Sequence, residues 1–291
     1  MKTVTLNYLP QFKAFGISDE EIAKFEKDNI IPELVLMPRN TEPVSCYRMR
    51  GNYKILNVPE TFPFPVTIGF LMGREKGYYT VDWNYARTLA KTGAHIKFLT
   101  YEHPIEQFAG CKGLILPGGC FASPEEYYTD PGKPKKLSAR AEAYVNLINH
   151  GLANHIPMLG ICAGAQMIGG ALGLKMYRNQ SYLKGTINHK SKEVDAHKIY
   201  ICRDNPICMI YLNRPEAWVN SRHNESIVND RSQSKLKFYA YSEDGVPEAW
   251  GSDELGILCV QWHPEDKAAQ GKQIEQNIYN WLVAKAVSFN W

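Results

Sequence analysis

An open, mostly parallel α/β sheet with helices on both faces, preceded by an N-terminal extension, is the fold class this sequence predicts. Three observations carry the prediction. From Phe64 onward, short apolar runs alternate with amphipathic stretches of helical period, the pattern of a parallel sheet covered on both sides. The run Ile156-Pro157-Met158-Leu159-Gly160-Ile161 breaks on Cys162-Ala163-Gly164 and continues as helix formers, which reads as strand, sharp turn, helix. A further buried strand, 255–262, delivers Trp262-His263-Pro264-Glu265 to its carboxyl end.

The first 64 residues differ in texture from the rest of the chain. Ser18 and Glu21 stand at capping-box spacing before Ile22 and Phe25, which predicts a short helix to about residue 27. Pro32, Pro38, Pro43 and Pro59, with turns at Arg39-Asn40 and Gly51-Asn52, make the rest of 1–64 read as an extension that wraps the main domain or contributes to a partner surface. The main domain is 65–291. Strands are expected at 66–72, 95–101 and 113–116, and a helix at 80–92 with Trp83, Ala86 and Leu89 on one face.

Pro117-Gly118-Gly119 ends the third strand, and a helix at 138–151 leads to the central strand and Cys162. The helix at 165–172 is closed by Gly173. Its Gly169-Gly170-x-x-Gly173 lies inside or after the helix and not before it, so it is no dinucleotide fingerprint. Short strands are expected near 198–202 and 236–242. A closing helix at 267–287 carries Ile274, Ile278, Trp281, Leu282 and Ala286 as its apolar stripe.

Composition narrows the function classes. The chain has 291 residues, 44% of them hydrophobic and 22% charged, which suits one large α/β domain or two small ones. A net charge of +3 with both signs interspersed argues against nucleic acid and anionic membrane surfaces as partners. Lys133-Pro134-Lys135-Lys136 reads as a solvated turn. No run approaches the roughly 20 apolar residues of a membrane span and Met1-Lys2-Thr3-Val4 opens no signal peptide, so a cytoplasmic location is expected. The seven cysteines are scattered without a Cys-x-x-Cys pair, as reduced thiols are. The eight histidines show no ligand spacing, so neither a metal nor another cofactor is expected.

Ligands of open α/β sheets gather at the carboxyl ends of the strands, where this chain places Gly118-Gly119, Cys162 and His263-Pro264-Glu265. Gly160-x-Cys162-x-Gly164 has the form of a nucleophile elbow, whose strained turn lifts a side chain off the sheet end. The following helix directs its positive end at the sulfur and favours thiolate. Read alone, a cysteine at the end of a buried strand is most often inert packing, and it is the rest of the chain that favours catalysis. A thiol nucleophile needs a base that can return its proton to a leaving amine, and His263 suits both tasks. Glu265, two residues on and facing the same way from an extended chain, is placed to hold the second ring nitrogen.

With those residues in view, the sequence resembles a known family. Gly160-Ile161-Cys162-Ala163-Gly164-Ala165-Gln166, Leu114-Ile115-Leu116-Pro117-Gly118-Gly119 and Val260-Gln261-Trp262-His263-Pro264-Glu265 are similar to motifs of the class I glutamine amidotransferase domain. The closer likeness is to its gamma-glutamyl hydrolase branch, which includes the gamma-glutamyl-gamma-aminobutyrate hydrolases. The resemblance covers about residues 65–285, and Val219-Asn220-Ser221-Arg222-His223 and Asp244-Gly245-Val246-Pro247-Glu248-Ala249 also resemble stretches of that branch.

The resemblance implies a flavodoxin-like sheet, Cys162 as nucleophile, His263 as base and Glu265 as its orienter. It implies backbone N–H groups of Gly119 and Ala163, beside Gly118, as the oxyanion hole. Gln166 and the turn Ser221, Arg222, His223 would lie near a gamma-glutamyl head. The expected activity is hydrolysis of a gamma-glutamyl amide, small molecule or peptide, through a thioester on Cys162. A glutaminase subunit feeding ammonia to a partner and a silent scaffold of the same fold are the alternatives, and a homodimer is left open. The chain is too short to hold a synthetase domain as well, which favours the hydrolase, and the three intact positions speak against the scaffold.

Three departures from the branch bear on substrate. Ala163 stands where arginine is usual, Asn224-Glu225 stands where His-Gln is preferred, and 1–64 has no counterpart. The amine pocket is expected between the loop 121–130 and the segment 177–189. Tyr127 and Tyr182 would be its walls, with Asn179, Gln180 or Glu125 orienting a charged tail.

Overall fold

The computed structural model describes residues 66–75, 77–129, 132, 136–178 and 187–288, together with residue 20 and the backbone of three strands at 33–39, 42–49 and 52–56. The expected helix at 18–27 and the segment 179–186 lie outside the described residues, apart from position 20, which is helical.

The main sheet has nine strands. Its parallel part orders β16 (Ile257–Val260), β9 (Met158–Ile161), β8 (Gly113–Leu116), β4 (Thr67–Leu71) and β7 (His95–Leu99) side by side. Beyond β16 an antiparallel wing continues through β15 (Pro247–Ser252), β14 (Lys237–Ser242), β11 (His197–Ile201) and β12 (Glu216–Val219). Every residue of β8, β9 and β16 is buried, as parallel strands covered on both faces must be. The fold class expected from the alternating pattern is the one found.

The helices cover both faces. On one, α1 (Trp83–Ala90) and α7 (Gln273–Ser288) bury Ala86, Leu89, Ile278 and Leu282 against Phe70, Ile96 and Ile161. On the other, α3 (Ala139–Ala153) and α4 (Ala163–Ala171) bury Tyr144, Leu147, Met167 and Ile168 against Leu71, Leu114 and Met158. Both helices start on side-chain caps: Ser138 Oγ accepts the Ala141 N–H at 3.1 Å, and Asp82 Oδ1 accepts the Asn84 N–H at 2.8 Å.

Two expectations need correction. The helix expected at 80–92 begins only at Trp83. The aromatic and β-branched run before its Asp82 cap forms β6 (Tyr78–Val81), paired with β5 (Gly73–Glu75). The closing helix expected at 267–287 is two helices, α6 (Pro264–Ala269) and α7, because Gly271 adopts a left-handed φ of 92° that stops the first. The extension also contains strands. Glu33–Arg39, Glu42–Met49 and Asn52–Leu56 form an antiparallel meander, and the first of them pairs with β6, Leu34 opposite Val81. Strand pairing thus crosses position 64. Pro38 and Pro43 are register partners at the hairpin end, where a missing N–H costs little.

Candidate active site

Adjacent parallel strands β8, β9 and β16 end at Leu116, Ile161 and Val260, and the segments leaving the three ends meet at one place. Cys162 leaves β9 with φ 49° and ψ −109° and is the residue before α4, its own N–H donating to Val260 O at 2.9 Å. Such a left-handed cysteine is strained, and a strained turn is what turns the side chain off the sheet end. The turn closes only because residue 164 is glycine: a Cβ there would stand 1.9 Å from Leu116 O. The Cys162 side chain makes no capping bond to the helix it precedes.

His263 stands at the exit of β16, and its Nδ1 lies 2.6 Å from Glu265 Oε1. The geometry behind that contact differs from the sequence expectation. Glu265 does not face the same way along an extended chain; Pro264 starts α6 directly after His263, and the first helical turn swings the carboxylate back under the ring. The other oxygen, Glu265 Oε2, accepts from the Tyr279 hydroxyl at 3.3 Å. Burial alone would depress His263, but the Glu265 carboxylate and then the Cys162 sulfur outweigh it and hold the imidazolium well above its usual range. Cys162 and His263 flank Gly118: a Cβ built there would lie 3.3 Å from Cys162 Cβ, 3.3 Å from His263 Nε2 and 2.6 Å from His263 Cε1.

The Pro117-Gly118-Gly119 segment is fixed by side chains that sequence reasoning did not single out. Tyr144 donates to Pro117 O at 2.6 Å, Arg140 Nη2 donates to Gly118 O at 2.7 Å, and the Gly118 N–H donates to the Tyr85 hydroxyl at 3.0 Å. Arg140 is thus anchored on the carbonyl side of the 118–119 peptide. In a trans peptide the Gly119 N–H points the opposite way. The Ala163 N–H is among the first of α4, which have no partner within the helix.

Of the turn at 221–223, the structure ties a neighbour to the sheet end. Asn220 accepts the His263 N–H at 2.8 Å and donates to His263 O at 2.8 Å. Ser221 is fully buried and donates to His189 O at 2.9 Å, while His223 is buried with Nδ1 2.8 Å from Glu225 O. Arg222 is the exposed member and pairs with Asp266 at 2.6 Å. Gln166 is buried, donating to Glu225 O at 2.8 Å and to Gln261 Oε1 at 3.1 Å. The polar atoms of Ser221, His223 and Gln166 are therefore turned into the protein framework.

The expected amine pocket also changes. Tyr127 is buried with its ring packed under α4 at Gly170, so it supports the elbow helix and is not a wall. Tyr128 lies beneath the Arg178 guanidinium, 3.8 Å from ring centroid to Cζ, and donates to Glu225 Oε1 at 2.9 Å; Arg178 also pairs with Glu125. Asn179, Gln180 and Tyr182 lie outside the described residues. The histidines, which show no ligand spacing in the sequence, include a buried grouping of His189, His197 and Glu248 whose ligand atoms lie within 4.8 Å of one another. The fold assembles it from positions too far apart for any local pattern to mark.

A cysteine on a strand-to-helix elbow, with an imidazole and a carboxylate at the exit of the neighbouring parallel strand, defines a class I glutamine amidotransferase-like protein. More narrowly, the peptidase C26 family model matches residues 75–265, and the chain belongs to that family. It is 30% identical over 161 residues to the glutamine amidotransferase-like protein YvdE of Lactococcus lactis, 52% of this chain and 65% of that one. It is 26% identical over 165 residues to the gamma-glutamyl-gamma-aminobutyrate hydrolase PuuD of Escherichia coli, 53% of this chain and 63% of that one. The matched part thus spans just under two thirds of each relative. A glutamine amidotransferase of Thermotoga maritima superposes with a TM-score of 0.55 at 16% identity, covering 77% of this chain and 99% of the other, which is a likeness of fold. Among the described residues no helix is long and apolar enough to cross a membrane.

Proposed function

We propose that the chain is a cysteine-dependent hydrolase of gamma-glutamyl amides, with Cys162 as nucleophile, His263 as acid and base, and Glu265 as the group that orients and supports His263. The observation that carries this reading is the 2.6 Å contact between His263 Nδ1 and Glu265 at the strand end beside the Cys162 elbow. It fixes the ring and leaves Nε2 for proton transfer at the sulfur.

In the proposed reaction the Cys162 thiolate attacks the gamma-carbonyl carbon. The carbonyl oxygen becomes an oxyanion beside the N–H groups of Gly119 and Ala163, and the Arg140 grip on Gly118 O keeps the first of these turned inward. The His263 imidazolium gives its proton to the departing nitrogen, the C–N bond breaks, and a gamma-glutamyl thioester remains on Cys162. Water then attacks the thioester while neutral His263 takes its proton, releasing glutamate and restoring the thiolate and imidazolium. Glu265 stays ionised throughout, since its work is electrostatic. The named activity of the PuuD relative supports the substrate class. The departures at Ala163 and Glu225 leave the amine to be found by experiment.

A panel of gamma-glutamyl amides, with free glutamine beside them and Cys162→Ala as blank, tests this reading by following released glutamate and amine. Turnover of one or more amides of amines larger than ammonia, lost in the blank, is the expected result. Preference for free glutamine would favour an ammonia-delivering glutaminase. No turnover of any member by folded protein would favour a scaffold.

A further inference from the structure

Outside the elbow, the densest cluster of titratable groups lies in the antiparallel wing, and the mechanism uses none of it. Glu248 on β15 is fully buried. Around its Oε1 stand His189 Nδ1 at 3.3 Å, His197 Nε2 at 3.5 Å and His223 Nε2 at 3.6 Å. All three imidazoles are themselves buried. The distances exceed those of good N–H···O bonds, and among the described residues Glu248 Oε1, Glu248 Oε2 and His197 Nε2 make no hydrogen bond.

The far nitrogen of each ring explains which atoms face the carboxylate. His189 Nε2 lies 3.1 Å from an oxygen of Asp244, His197 Nδ1 lies 3.1 Å from Lys198 O, and His223 Nδ1 lies 2.8 Å from Glu225 O. Those partners can only accept, so each far nitrogen carries the proton. A neutral ring with its proton there turns a lone pair toward Glu248. The lone pairs of His189 and His197 against a carboxylate, in a site sealed from water, repel unless a positive charge sits among them.

The geometry points to a divalent cation of the zinc type, bound by His189, His197 and Glu248, whose ligand atoms all lie within 4.8 Å of one another. In a tetrahedral site with bonds of about 2.0–2.2 Å, neighbouring ligand atoms are separated by about 3.3–3.5 Å, close to the spacings around Glu248. The pairing of Asp244 with the far nitrogen of His189, and of the Lys198 carbonyl with that of His197, is the outer layer that metal-bound imidazoles require. Charge balances too: one dication against Glu248 and Asp244 leaves the buried assembly neutral. With its protein ligands all buried and no exposed face, the ion is structural. It ties β11 and β15, which carry His197 and Glu248, to the loop of His189.

Metal content and uptake test the assignment. Because Cys162 and His263 offer a second place for a soft cation, the measurement is made on the full chain and on Cys162→Ala in parallel. Chelator-stripped protein is titrated with Zn²⁺ and, for a visible spectrum, with Co²⁺. We expect about one equivalent bound in both proteins, intense tetrahedral Co²⁺ bands, and a rise in Tm on Zn²⁺ addition. His197→Gln and Glu248→Gln should each weaken Zn²⁺ binding roughly 100-fold or more. If a variant fails to fold, the stripped full chain still decides. Absence of uptake, of Co²⁺ bands and of a Tm shift would overturn the proposal in favour of a cluster held together by protons. Uptake lost in Cys162→Ala and untouched by His197→Gln would overturn it as well.

Discussion

Asn220 clasps the backbone of His263 from both sides, its Oδ1 accepting the His263 N–H and its Nδ2 donating to the His263 carbonyl, each at 2.8 Å. The side chain also donates to Asp266 at 3.2 Å, so one amide fixes the exit of β16 where the imidazole stands. It touches none of the reacting groups and acts by positioning. Asn220→Ala should lower kcat roughly 10- to 100-fold with KM nearly unchanged, because a displaced general base loses rate before it loses binding. Steady-state kinetics on folded variant protein checks this. A rise in KM at constant kcat would mean that Asn220 serves substrate binding instead.

The Glu265 carboxylate sets a pH limit. The His263 pKa is raised above its ordinary 6.5, so its protonated form contributes fully below that value and is lost as pH rises through the elevated one. Glu265→Gln removes the leading cause of the rise while burial still works against the charge. The alkaline limb of kcat/KM should therefore move to lower pH, with a smaller loss of rate than His263→Ala, which removes acid and base together. An unmoved alkaline limb would contradict the role given to Glu265.

Two glycines of the site should fail in different ways. In Gly164→Ala the new methyl would lie 1.9 Å from the Leu116 carbonyl oxygen, a backbone atom that cannot step aside. The fold should lose on the order of 3 kcal/mol or more, read as a large fall in Tm. In Gly118→Ala the methyl meets the His263 ring at 2.6 Å and Cys162 Cβ at 3.3 Å, and a side-chain ring can swing away. Tm should change little while activity collapses, because the methyl wedges between sulfur and imidazole. Equal losses of Tm in the two would contradict this division.

What was legible in the sequence is what strong local patterns encode. The buried runs at 113–116, 158–161 and 257–260 follow from period and composition, and they bring Cys162 and His263 to one sheet end. What was hidden depends on neighbours remote in sequence. The His263 and Glu265 contact is made by a helical turn that Pro264 starts, where two-residue spacing suggested an extended chain. Arg140 reaches the site across a separation of 22 residues with no pattern to mark it, and Asn220, though it lies in a stretch that resembles the branch, reaches His263 across 43. Tyr127 looks like a pocket wall because loop aromatics often are, yet it fills the space beneath α4. Strands with proline at their turns, as in 33–39 and 42–49, are masked by the residues that end them.

The thioester on Cys162 is the central claim, and trapping it is the most direct measurement. Protein mixed with a gamma-glutamyl amide and quenched in acid within a turnover should carry one gamma-glutamyl adduct, located on the Cys162 peptide by mass spectrometry. The adduct should be absent from Cys162→Ala and vanish on brief treatment with hydroxylamine, as a thioester does. It should be weak or missing in His263→Ala, where nothing protonates the departing amine. An adduct on another residue, or turnover that persists in Cys162→Ala, would contradict the account.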